Sequence, residues 1–478
     1  MPEIVTIETP ALGDRSYLIH DGTRAMVVDP QRDIDRVLAV AQARRVQITH
    51  VLETHIHNDY VTGGFALASR VGAEYVVAAS EEVSFERLPV RDHDQITSGS
   101  LTVTVMHTPG HTPGHLSFVL SQDGHDPVAV FTGGSMLYGA VGRTDLISPE
   151  HTEQLTRAQY RSVRRLAEAL PDEAAVYPTH GFGSFCSATP TSGTSSTIAH
   201  ERQVNVALQN DEGAFVAELI AGLNAYPRYY AHMGPANRLG PQAPGLVQPS
   251  RADPAELRRR IEAGEWVVDL RERRAFARAH VTGTISVELG DPFSTYLGWT
   301  IPWGAPLTLI GDHPEQVILA QLQLTRIGID HIASAAAGPT ETLALGRVSG
   351  YRVTDFGGLA AEWGRPGLVV LDVRRPDEWQ ASHLPRAVHI PFWEVEHRAG
   401  EVPAGEVWVH CASGFRASIG ASILDRAGRT VVHVDDNWDM APRAGLPLVN
   451  GFLLAHQLNW RISATSAGTD LAARRVPP

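Results

Sequence analysis

The chain has 478 residues, 43% of them hydrophobic and 19% charged, with 40 basic and 53 acidic side chains giving a net charge of −13. That length exceeds one hydrophobic core and predicts about three domains, and the acidic balance argues against a nucleic-acid surface. No apolar run approaches the roughly 18 residues of a membrane span, and Met1-Pro-Glu-Ile-Val has neither the basic nor the apolar region of an export signal. The two cysteines, Cys186 and Cys411, are too few for a disulfide framework. The expectation is a cytoplasmic protein in which each thiol is either reactive or a small buried hydrophobe.

In chain order, Ser16-Tyr-Leu-Ile and Ala25-Met-Val-Val-Asp29 read as a hairpin, Ile34 to Ala43 as a helix, and Val46 to Leu52 as a buried strand. Gly63-Gly64 opens a helix through Arg70, followed by strands at Glu74 to Ala78, Leu101 to Met106, Val128 to Thr132 and Ala175 to Tyr177. Three of these strands run into histidine motifs: Thr54-His-Ile-His-Asn-Asp-Tyr60, Thr108-Pro-Gly-His111, and Tyr177-Pro-Thr-His-Gly181. Two imidazoles one residue apart project the same way from an extended segment, and imidazole with carboxylate is the usual donor set for zinc or ferrous iron. Strand ends that repeatedly deliver histidine to loops predict a site at one edge of a sheet. A Ser/Thr/Gly-rich loop, 187–197, then precedes a helical stretch from Ile198 to Asn224.

This ordered set resembles the metallo-β-lactamase superfamily, an αββα sandwich. Gly142-Arg143-Thr144-Asp145 and His180-Gly-Phe-Gly-Ser-Phe-Cys186 narrow the resemblance to its persulfide dioxygenase branch, of which glyoxalase II thioester hydrolases are near cousins. In the superfamily one metal position uses residues matching His55, His57 and His111, and a second those matching Asp59, Tyr60, Gly134 and His180. Two of the latter four are not ligands, which argues against a dinuclear zinc hydrolase. In the persulfide dioxygenases a single ferrous iron is held at positions matching His55, His111 and Gly134, and Gly134 stands where that family has its carboxylate. Three readings stay open: a three-histidine site of His55, His57 and His111; Asp59 serving as the carboxylate of a mononuclear iron site; or no bound metal. Asp59 and His180 are the further candidate ligands. The cofactor expectation is therefore one transition metal, Fe(II) or Zn(II), or none. Arg143 matches the arginine that receives the glutathione carboxylate, Cys186 could reach the pocket, and Tyr60 either bonds into it or fills the missing histidine's space.

Beyond the linker Gly240-Pro-Gln-Ala-Pro-Gly-Leu-Val-Gln-Pro249 the chain repeats itself. Trp266-Val-Val-Asp-Leu-Arg with Ala279-His-Val returns as Val369-Val-Leu-Asp-Val-Arg with Ser382-His-Leu; Asp269 matches Asp372 and His280 matches His383, each 103 residues on. The second copy reaches Val409-His-Cys411-Ala-Ser-Gly-Phe-Arg416, whereas the first has Gly311 at the cysteine's place. Both resemble the small α/β rhodanese domain. Amides of the loop after Cys411, the following helix N-terminus and Arg416 should together favour a thiolate that attacks sulfane sulfur and holds it as a persulfide. Arg416 lies five residues after Cys411; related phosphatases place their arginine one position further on, in a wider cradle suited to phosphate. Asp372, Arg374 and His383 are read as fixing the fold.

The expected architecture is α/β and multidomain: a metallo-β-lactamase-like domain with helical extension over 1–245, a rhodanese-like domain lacking the cysteine over 250–345, a rhodanese domain with Cys411 over 352–450, and a tail from 451. The implied function is sulfane-sulfur transfer through a Cys411 persulfide, coupled to oxidation of a thiol persulfide to sulfite. Low-molecular-weight thiol persulfide, sulfite and thiosulfate are the expected partners, with no nucleic acid or membrane and with homo-oligomerisation left open. The alternatives are a glyoxalase-II-like thioester hydrolase and a metal-independent persulfide sensor or carrier.

Overall fold

In the computed structural model the described residues are 2–188, 191 and 193–450; the expected tail, 451–478, lies outside them. The described residues divide into two compact units, one within 1–253, 264–266 and 289–338, the other within 254–263, 267–288 and 339–450. The segment expected as a middle domain is thus shared between them.

The first unit is built from two six-stranded sheets. β1 (Glu3–Thr9), β2 (Asp14–His20), β3 (Arg24–Val28), β4 (Gln47–Leu52), β5 (Glu74–Ala78) and β6 (Leu88–Val90) follow one another in space as in sequence. The second sheet runs in reverse order from a short strand at Ser196–Thr197 through β11 (Ala175–Pro178), β10 (Ala129–Gly133), β9 (Leu116–Gln122) and β8 (Leu101–His107) to β7 (Gln95–Ser98). The hairpin read at residues 16–29 is present, with Tyr17 opposite Val28. Alternation of apolar residues on facing strands closes a shared core containing Tyr17, Leu52, Phe118 and Phe131. The outer face of the first sheet is covered by α1 (Asp35–Arg44) and α2 (Gly64–Val71), whose Val37, Ala41, Leu67 and Ala68 form a separate core with Leu18, Val27 and Val51.

The outer face of the second sheet is covered by α3 (Thr152–Ala169), an 18-residue helix that buries Leu155, Val163 and Leu166 at helical spacing. The stretch expected as one helix after residue 198 is three: Ile198–Val204, Val206–Gln209 and Glu212–Gly222. Asn205 and Asp211 break it. Each is extended and accepts a hydrogen bond from an amide two or three residues ahead, so each begins a new helix instead of continuing the old one. Also within this unit, Leu307–Gly311 and Ser334–Ala337 pair in parallel around the helix Pro314–Arg326.

The second unit holds a five-stranded parallel sheet in the order Arg352–Thr354, Val431–Val434, Glu406–His410, Leu368–Asp372 and Val388–His389. The strand Glu406–His410 lies at its centre and delivers Cys411 into the loop before the helix Phe415–Arg426. The two halves of the repeat match bond for bond. Arg271 and Arg374 each pair with the aspartate two residues before, at 2.6 Å, and each also donates to the carbonyl preceding the repeat histidine, Ala279 or Ser382. His280 and His383 then donate Nδ1–H to Phe276 and Trp379 and stack on the same rings at 3.9 and 3.8 Å.

Candidate functional site

β4 stops at Leu52, so the first histidine motif is a buried loop at the end of the sheet rather than a strand terminus. Asp29 shapes that loop. It sits just past β3 in a left-handed conformation, φ 49°, and its carboxylate accepts from the Thr54 amide, the Thr54 hydroxyl (both 2.7 Å) and the Thr179 hydroxyl. Burial alone would raise this carboxyl's pKa. The adjoining His57 and the hydrogen bonds from Thr179 and Thr54 outweigh it and hold the group below the usual carboxylate range.

Four histidines meet here, each with one ring nitrogen engaged from outside. His55 Nδ1 bonds to Thr54 Oγ1 at 2.9 Å, His111 Nδ1 donates to the Arg143 carbonyl at 2.7 Å, and His180 Nδ1 faces Asp14 and Asp59 at 2.8 and 3.2 Å. His57 Nε2 faces Glu53 at 3.1 Å and Asp29 at 3.4 Å. Outer bonds of this kind fix the tautomer and leave the opposite nitrogen as a ligand. His57 Nδ1 and His111 Nε2 are buried without a protein partner, and His55 Nε2 and His180 Nε2 face each other at 3.3 Å. One ring nitrogen each of His55, His57 and His180 lie within 4.8 Å of one another, as do donor atoms of His111, His180 and Cys186. Orphaned, buried imidazole nitrogens with fixed outer partners fit a borderline transition metal such as zinc or ferrous iron.

Electrostatics separate these rings. Burial opposes charge on His57, but Asp29 and Glu53 overcome it and raise its pKa to about 9. Burial likewise opposes charge on His180, yet Asp59 and Asp14 raise its pKa well above the ordinary value. Burial holds His55 well below the ordinary value and lowers His111 to about 3.

The site differs from expectation in several places. His55, His57 and His111 do not close into one triplet; His180 takes the third place beside His55 and His57 and also joins His111. Gly134 could carry no side chain here, because a Cβ would collide with the His111 ring; its amide instead donates to His115 Nε2 at 3.0 Å. Asp59 is turned to His180 rather than standing in for the lost carboxylate. Tyr60 stacks behind His57, 4.3 Å between ring centres, with its hydroxyl on His57 Nε2 at 3.0 Å, so it backs the ring and does not face a substrate. Arg143 is buried and spent on its own chain: two bonds to Asp145 at 2.7 and 2.8 Å, and others to the carbonyls of Phe185 and Asn224. That leaves it badly placed to receive a substrate carboxylate.

Cys186 does come to the pocket, buried beside His111 and His180. Burial and the Asp59 and Asp14 carboxylates push its thiol pKa well up. Sequence reading missed Asp14, Asp29, Glu53 and Gln159. Gln159 of α3 accepts from the His111 amide at 2.7 Å and donates to the carbonyl of Ser135, which ties the second histidine loop to the Gly134 segment. The periodicity of α3 was a usable signal for Gln159; nothing in the sequence marks the acids.

In the second unit Cys411 is buried at the end of the central strand. Among the described residues the amides of Ala412, Ser413 and Gly414 have no acceptor within the chain. Arg416 is brought to the loop but pairs bidentately with Glu378, at 2.5 and 2.8 Å. In the earlier repeat the equivalent loop is occupied by its own side chain: Gln316 Oε1 accepts from the amides of Asp312 and His313 at 2.7 and 3.3 Å.

Gly414 holds the Cys411 loop shut against Asp435. Its φ is 85°, and a Cβ would strike the Asp435 carboxylate, which is itself fixed by Arg273 at 2.7 Å and by Arg274. Gly414→Ala must therefore displace the loop or Asp435, at a cost of about 1–3 kcal/mol for the strained backbone, and a lowered urea midpoint would measure it.

His433 donates Nε2–H to the Gly414 carbonyl at 2.9 Å, and burial lowers its pKa to about 4. A histidine whose folded pKa lies below its unfolded value stabilises fully above the unfolded value of about 6.5 and loses that contribution as pH falls toward the folded one. The Cys411 domain should thus lose roughly 3 kcal/mol between pH 6.5 and 4 from this group. The urea midpoint of unfolding should fall over that range, and less steeply in His433→Asn; equal slopes would remove His433 as the cause.

Two facing sheets covered by helices, with a histidine-lined pocket on the loops at one edge, define a metallo-β-lactamase fold; the parallel sheet with a cysteine loop at its centre is a rhodanese-like domain. Residues 11–180 match the metallo-beta-lactamase superfamily and residues 358–439 the rhodanese-like domain. The chain belongs to the metallo-beta-lactamase superfamily through its first domain and carries the rhodanese-like domain behind it. It is 29% identical over 240 residues to the mitochondrial persulfide dioxygenase ETHE1 of Homo sapiens, covering 49% of this chain and 85% of that one. It is 33% identical over 189 residues to the hydroxyacylglutathione hydrolase of Cereibacter sphaeroides, covering 38% and 67%. Among solved structures, a metallo-beta-lactamase from Staphylococcus aureus subsp. aureus COL superposes with a TM-score of 0.63 at 29% identity, covering 71% of this chain and 99% of that one.

Proposed function

We propose that this chain is an enzyme of sulfide and persulfide metabolism with two working sites, a metal centre at the four histidines and a sulfur carrier at Cys411. The observation that carries the reading is the Cys411 loop: a buried thiol at the end of the central strand, followed by three amides that have no acceptor among the described residues and by a 12-residue helix. The amides and the helix N-terminus favour negative charge on sulfur. The Cys411 thiolate attacks the outer sulfur of a thiol persulfide; the S–S bond breaks, the thiolate of the donor leaves, and Cys411 holds the sulfur as a persulfide. Sulfite then attacks that outer sulfur, forming thiosulfate and returning the Cys411 thiolate.

In the first domain a bound ferrous ion would supply the oxygen chemistry that converts a thiol persulfide to sulfite. This chain's residues hold and orient: Thr54, Glu53, Asp29, Asp14 and the Arg143 carbonyl fix the four imidazoles, and the buried pocket excludes bulk water. Carrying both sites on one polypeptide raises the effective concentration of each product for the other.

The domain plan of 1–245, 250–345, 352–450 and a tail is part of this proposal. The middle segment is then a second rhodanese unit that has lost its nucleophile, supported by the matched Asp–Arg–His bonding and by the Gln316 side chain filling the loop where a sulfur would sit. The similarity to hydroxyacylglutathione hydrolase favours a second reading, thioester hydrolysis, but Tyr60 and Gly134 remove two donors of the second metal position.

Iron-supplemented protein given glutathione persulfide should consume oxygen and yield thiosulfate, and Cys411→Ser should still consume oxygen while sulfite accumulates. Hydrolysis of an acyl-glutathione without oxygen uptake on the persulfide would establish the hydrolase instead. Sulfur exchange without any bound metal would establish a carrier.

A further inference from the structure

Gly134 lies against the His111 ring with no side chain to offer, and the buried Cys186 sulfur lies near the same ring. We propose that Cys186 is a metal ligand, its thiolate completing a set with His111 and His180; the inference rests on the metal centre described above.

Three observations place it there. The sulfur lies within 4.8 Å of ring nitrogens of both histidines. His111 Nε2 is buried without a protein partner, on a residue 0% exposed, so the pocket beside the sulfur holds an unspent lone pair. Cys186 and His111 are also fixed by the same residue: the Arg143 amide donates to the Cys186 carbonyl at 2.8 Å, and the Arg143 carbonyl accepts from His111 Nδ1 at 2.7 Å. A bridge between Gly142 and Ser187 and a bond from the Cys186 amide to Ser184 Oγ at 3.2 Å hold the two loops in register.

The close approach needs glycine on both sides. A Cβ at Gly134 or at Gly142 would collide with the His111 ring, so the ring keeps its place only while both positions are glycine.

Coordination replaces the S–H proton by the cation. The proton released by the thiol leaves to solvent. A thiolate among imidazoles suits zinc, cobalt or ferrous iron and disfavours magnesium, calcium or manganese, which prefer oxygen donors.

The test uses cobalt(II) as the probe on the full chain carrying Cys411→Ser, in which Cys186 is the sole cysteine. It should bind cobalt with an intense near-ultraviolet thiolate-to-cobalt charge-transfer band, and the bound ion should protect Cys186 from alkylation. Adding Cys186→Ser should abolish the band and weaken cobalt binding roughly 10–100-fold. Bound cobalt with only nitrogen-and-oxygen spectra, or a band that survives Cys186→Ser, overturns the proposal while leaving the histidine centre standing. No cobalt bound to either variant overturns both.

Discussion

Replacing Cys411 with serine should lower sulfane-sulfur transfer on the order of a thousand-fold or more, the scale seen when a covalent nucleophile is removed. The hydroxyl is nearly isosteric with the thiol, and the loop should persist because its geometry is set by Gly414, Asp435 and His433 rather than by the sulfur. The loss should therefore fall on the chemical step, with the thermal unfolding of the domain little changed. Transfer to cyanide or sulfite, followed alongside mass detection of a persulfide on Cys411, would measure it. Wild-type-like transfer by Cys411→Ser would place the sulfur carrier elsewhere, and Cys186, the sole remaining thiol, would be the place to look.

The second large effect belongs to Asp29. Its buried carboxylate accepts from the Thr54 amide and from two hydroxyls and faces His57, so one side chain satisfies four groups in the core of the first unit. Asp29→Ala leaves those donors unpaired and removes a charge partner from a buried imidazole, a change that costs about 3–5 kcal/mol when a buried pair is broken from one side. It also removes the acceptor that orients His57, and second-sphere losses of this kind lower metal affinity roughly 10–100-fold. The expected result is a chain that binds zinc or iron weakly and unfolds at markedly lower denaturant, read by metal titration and urea unfolding of the same preparation. Asp29→Asn discriminates the two effects. It keeps the shape and part of the acceptor capacity, so it should recover more stability than metal affinity. Equal loss of both would mean that Asp29 acts through the fold alone.

The degenerate repeat has a physical role in the second unit. Arg273 and Arg274 of the helix Arg273–Arg278 both grip Asp435, whose side chain bounds the Cys411 loop at Gly414. His280 reaches Asp425 at 3.1 Å, and Ser422 accepts from the Ser286 amide at 3.0 Å, both on the helix that follows the cysteine.

Residue types and spacing decided much of this protein on their own. Apolar runs of period two and three to four fixed the strands and the helices α1 and α2, because burial of one face is a local demand that the sequence must meet. The three histidine motifs, the cysteine loop and the 103-residue repeat were likewise visible, since each is a short pattern whose chemistry needs those residues in that order. Tertiary structure alone decided how the histidines combine. His180 sits 125 residues from His55 and meets it only because both sheets end at one edge, which makes it the shared member of two donor groups. Which ring nitrogen faces inward depends on outer partners such as Asp14 and Glu53, and their burial has no local signature. Arg143 reads the same in sequence whether it binds substrate or its own chain; its bonds to Asp145 and to the Phe185 and Asn224 carbonyls come from tertiary structure. Cys186 stood beside a glycine-rich loop in sequence, and only the fold brings its sulfur within 4.8 Å of ring nitrogens of His111 and His180.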